Sequence, residues 1–74
     1  MAGKQSEGLF EVSLDEQLYE VDRELALRER VYPRWVAATP AKLSQASADR
    51  YMLRLRAVRA TLLRLIEQGA GHGD

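Results

Sequence analysis

From Leu14 to Trp35 apolar residues return every three or four positions. Leu14, Leu18, Val21 and Leu25 lead to Tyr32 and Trp35, with Arg28 standing where the next apolar residue is due. That spacing is the stripe of an amphipathic helix and, taken as heptads, a seam with one polar position. The start is marked as well. Ser13 and Glu16 make an S-x-x-E capping box, in which each side chain satisfies a free amide at the other's end. Asp15 and Glu16 also place negative charge in the first turn, where the helix dipole favours it.

Proline at position 33 removes a backbone donor and disfavours helical geometry at Tyr32. The helix either ends near Val31 or bends and runs on. Tyr32, Trp35 and Val36 keep helical spacing across the proline, which favours a helix over about 14–37, kinked at Pro33. Residues 38–43 then form a connection in which Pro40 bars a continuous helix.

A second helix is predicted over about 45–68, with Ser44 as N-cap and Leu43 and Ala48 at the positions of a hydrophobic staple. Ala48, Tyr51, Leu55, Val58, Leu62 and Leu65 step without a break, and Met52, Leu63 and Ile66 widen the stripe beyond a two-stranded seam. Gly69 is the expected stop. No strand-type alternation or repeat occurs. The fold class is all-α: an antiparallel two-helix hairpin over 13–68, between flexible tails at 1–12 and 69–74.

Two helices share one contact line, and each stripe is broader than one line requires. The chain has 74 residues and no cysteine, and its single histidine, His72, lies in a glycine-rich end. Domains this small need a disulfide, a metal or a partner chain to complete a core. The first two are excluded by composition, so a homodimer closing a four-helix bundle is expected, with Leu18, Val21, Leu25, Tyr51, Leu55, Val58, Leu62 and Leu65 in its core.

Net charge is zero, which supplies no general field for nucleic acid or anionic lipid. The distribution is uneven. Residues 1–31 hold eight acids and four bases, residues 32–74 three acids and seven bases, a split that favours laying one half against the other. No apolar run nears the ~18 residues of a membrane span, and the amino terminus lacks the apolar core of a signal peptide. A cytoplasmic location is expected.

Catalysis finds little support, since nucleophilic chemistry needs a base beside an activated Ser or Cys. Glu16, Glu20 and Glu24 share a helical face, but no second acidic helix completes a metal site, and they read as a solvated face or as partners of the second-helix arginines. No enzyme, cofactor or small-molecule substrate is expected. Arg50, Arg54, Arg56, Arg59 and Arg64 scatter around the second helix, which argues for ion pairing over a nucleic-acid stripe. Trp35 with Tyr32 and Arg34 is the sharpest interaction candidate, because Trp, Tyr and Arg dominate binding hot spots; the alternative is that both aromatics cap a dimer core. Arg28 either pairs with a glutamate across the dimer and fixes register or is exposed where the helices splay. Arg54 and Arg59 complete the partner-binding candidates. Leu9, Phe10 and Val12 form either a docking segment or part of a disordered tail.

The run Arg23-Glu24-Leu25-Ala26-Leu27-Arg28-Glu29-Arg30-Val31-Tyr32-Pro33-Arg34-Trp35-Val36, followed by Lys42-Leu43-Ser44-Gln45-Ala46-Ser47-Ala48-Asp49-Arg50, resembles a family of short helical-hairpin proteins of temperate bacteriophages and prophages. The resemblance covers about 22–65 and is carried most by Val31-Tyr32-Pro33. Ser47 stands where that family tends to have Glu, so a second capping box is lost, and Ala38-Thr39-Pro40-Ala41 replaces its usual loop glycine. The resemblance implies a phage accessory protein that binds and modulates a host bacterial protein. It extends to the quorum-sensing anti-activator of Pseudomonas phages, a dimeric helical hairpin, which puts transcription factors among the candidate targets. A small nucleic-acid-binding regulator and a structural accessory of the phage particle are the alternatives.

Overall fold

In the computed structural model the described residues are 11–73, with side chains described for 11–69. The segment of Leu9 and Phe10, most of the expected amino-terminal tail, and the His72 side chain lie outside them. Among the described residues the chain forms two α-helices, α1 (Leu14–Ala37) and α2 (Gln45–Gly73), joined by residues 38–44. They run antiparallel: Asp22 of α1 meets Arg59 of α2, while Arg28, nearer the loop, meets Tyr51. Neither helix is long and apolar enough to cross a membrane.

Both amino-terminal caps form from the residues that announce them. The Glu16 amide donates to Ser13 Oγ at 3.1 Å, and the Ser47 amide donates to Ser44 Oγ at 3.0 Å. Helix α1 continues through Pro33 to Ala37. A proline there leaves the carbonyl of Glu29 without its helical donor, a loss that one turn of further helix carrying Val36 offsets. The connection holds a cis Thr39–Pro40 bond, and the Lys42 amide donates to the Trp35 carbonyl at 3.0 Å, satisfying one of the last four carbonyls of α1.

Helix α2 does not stop at Gly69; its backbone stays helical to Gly73. A glycine stop works by a left-handed residue, and no described glycine has positive φ. Nothing lies within 4 Å of a Cβ built on Gly69, so no packing contact asks the chain to turn there.

The core is thinner than the stripes predict. Among the described residues only Ala48 and Leu62 are buried. Leu18, Val21, Leu25 and Leu55 are half-buried between the helices, but Tyr51, Val58 and Leu65 are exposed. The face of α2 that meets α1 runs through Ala48, Met52, Leu55, Arg59, Leu62 and Ile66 instead, each at least partly covered. Two cylinders touch along one line, so a wide stripe must leave one of its margins in solvent.

Candidate functional site

At 100° per residue the seam divides the hairpin into two unlike edges. Along one, Arg59 Nε donates to Asp22 Oδ1 at 2.6 Å, and Arg56 Nη2 lies 3.8 Å from Glu29 Oε2. Near the loop this edge holds a shallow groove of about 250 Å³ that includes Pro33, Gln45 and Asp49. Small-molecule pockets are roughly 300–1,000 Å³ and enclose most of the ligand; this one falls short.

The other edge is apolar. Tyr51, Val58 and Leu65 sit seven residues apart on α2, nearly in line along the helix, and each is between 39% and 47% exposed. On α1, Leu27, Val31 and Trp35 border a common groove with Glu24, Arg28 and Tyr32. The two lines join at the loop end. The Tyr32 ring centroid lies 5.8 Å from Trp35 and 6.4 Å from Tyr51, so the three rings form one continuous tilted array.

Two guanidinium groups bracket that array. Arg28 donates through Nε to Glu24 Oε2 at 2.8 Å and through Nη1 to the Tyr51 carbonyl at 3.2 Å, with its Cζ 5.9 Å from the Tyr32 ring centre. The residue breaking the α1 seam is therefore half-buried, and within its own chain it has a glutamate one turn away and a backbone carbonyl of α2 as partners. Arg54 has its Cζ 5.9 Å from the Tyr51 ring centre. Both contacts lie in cation–π range.

Of the partner-binding candidates, the structure thus gathers Arg28, Tyr32, Trp35 and Arg54 around Tyr51. It separates the other two: Arg59 serves the opposite, ion-paired edge, and Arg34 is exposed about half a turn from the seam residue Leu25. Sequence reasoning placed Tyr51 in the core and passed over Leu27 and Val31. Leu27, Val31 and Trp35 recur at i, i+4 and i+8 beside the heptad line, and that second short stripe was the legible signal.

The acids on α1 are engaged or solvated. Glu20 lies 3.6 Å from Arg23 and Glu24 holds Arg28. Among the described residues no group of three His, Cys, Asp or Glu side chains is placed to hold a metal ion. What the geometry offers is an open surface with apolar and aromatic contacts and two cationic flanks. No family model, curated protein or solved structure matches the chain.

Proposed function

We propose that this chain is a protein-interaction module: a helical hairpin that pairs with a second copy of itself and, as a dimer, binds and modulates another protein. The observation that carries the reading is the exposed apolar edge running from Trp35 through Tyr51 and Val58 to Leu65. Chain dimensions support it. The radius of gyration is 16.6 Å, where a compact domain of this length has about 11 Å. The chain exposes 6084 Å², against roughly 4,600 Å² for a compact monomer of this mass. The excess is ample for a standard interface, which takes about 800 Å² from each partner.

The resemblance to short phage proteins makes a host bacterial protein, a transcriptional regulator among them, the class of target. Aromatic rings flanked by Arg28 and Arg54 suit either contact, that with the second copy or that with the target, since Trp, Tyr and Arg supply most hot-spot energy. Nucleic acid is a poorer fit. Phosphate binding needs cations free to release counterions, and Arg56 and Arg59 already face acids of α1.

Light scattering at micromolar concentration tests the dimer: twice 8.4 kDa is expected, and a folded species of 8.4 kDa overturns the reading. Trp35→Ala then assigns the loop end. A variant that stays dimeric but loses a protein captured by the parent makes Trp35 a target contact, whereas a variant that becomes monomeric makes it part of the dimer seam.

A further inference from the structure

We propose that the two copies pack with their loops at the same end, so that α1 of each hairpin lies on α2 of the other. The inference rests on the dimer reading above and adds its topology. An isologous pair is related by a two-fold axis, and two hairpins can meet across one edge face in two ways. An axis parallel to the helices sets α1 against the partner's α2 and keeps both loops together. An axis crossing the helices sets α1 against α1 and α2 against α2, with the loops at opposite ends.

Charge separates the two. Helix α1 carries six acids and four bases, and α2 carries two acids and five bases. At the apolar edge itself the α1 glutamates are paired within the chain, Glu24 with Arg28 and Glu20 with Arg23, while on α2 the Arg54 guanidinium lies against the Tyr51 ring. With the loops together, the net-acidic α1 of one copy lies on the net-basic α2 of the other. With the loops opposed, the net-acidic α1 meets α1 and the net-basic α2 meets α2, and like charges at an interface select against that pairing.

The aromatic array points the same way. Tyr32, Trp35 and Tyr51 all sit at the loop end, so the proposed arrangement gathers both copies' arrays into one cluster, where tilted ring pairs gain beyond their buried area. The opposed arrangement keeps the arrays at far ends of the bundle.

The chain has no cysteine, so single thiols give unambiguous spin labels. Ala41→Cys places a label in the exposed loop and Glu67→Cys places one near the far end of α2, both on exposed residues. Pulsed dipolar spectroscopy on each labelled dimer is expected to give distances of about 20–30 Å at both sites, set by helix spacings of ~10 Å plus the label arms. Distances approaching the 52 Å length of the hairpin at both sites overturn the topology while leaving the dimer intact. A folded monomer with no dipolar coupling at either site overturns the dimer, and this proposal with it.

Discussion

Leu62 and Val58 stand four positions apart on one stripe of α2, yet Leu62 is 7% exposed and Val58 47%. Leu62 is held by the chain's own α1. Truncating it removes buried methyl groups and leaves a cavity, so Leu62→Ala is expected to lower stability by about 2–5 kcal/mol in denaturant unfolding. Val58 has no such cover within one hairpin. If a second copy supplies it, Val58→Glu buries a carboxylate in an apolar seam and should shift the mass in sedimentation towards the monomer. Unchanged self-association in that variant would mean the exposed line is not the seam. Arg28 shows the same logic in a polar residue: at an apolar seam position it is tolerated because Glu24 and the Tyr51 carbonyl take its donors.

At the scale of the element, α1 and α2 each contain a residue that opposes them. Pro33 costs α1 a hydrogen bond, and the helix continues because Val36 lies on its inner side and the Trp35 carbonyl finds the Lys42 amide. Gly69 costs α2 backbone entropy without supplying a turn. Since its φ is not positive and open space surrounds it, Gly69→Ala is expected to stabilise α2 by up to ~1 kcal/mol, read as a higher melting temperature. A lower one would mean that the helix ends at this glycine after all. The ion pairs joining the helices are smaller matters. Asp22 and Arg59 are each more than two-fifths exposed, so despite the 2.6 Å contact their pairing is worth about 0.2–1 kcal/mol and weakens with salt.

As a whole molecule the hairpin is a slab of 52 × 30 × 16 Å, a single layer of helices with little interior. Domains usually bury their apolar faces between two layers, and in the proposed dimer the second layer is the partner copy. Stability should then follow mass action: raising the protein concentration tenfold is expected to raise the melting temperature, and a melting temperature independent of concentration would count against an obligate dimer. The sequence by itself determined the two helices, their caps at Ser13 and Ser44, the antiparallel turn and the surplus of apolar surface, because these follow from local hydrogen bonding and from the period of the stripe. Only the tertiary structure decided which margin of each stripe is covered. The stripe on α2 spans Tyr51 and Met52, Leu65 and Ile66 alike, and α1 takes the second of each pair. The line of contact between two helices depends on how both sets of side chains interdigitate, which neither helix's spacing contains alone. That choice leaves Tyr51, Val58 and Leu65 in line with Trp35, and leaves one edge of the hairpin apolar and exposed.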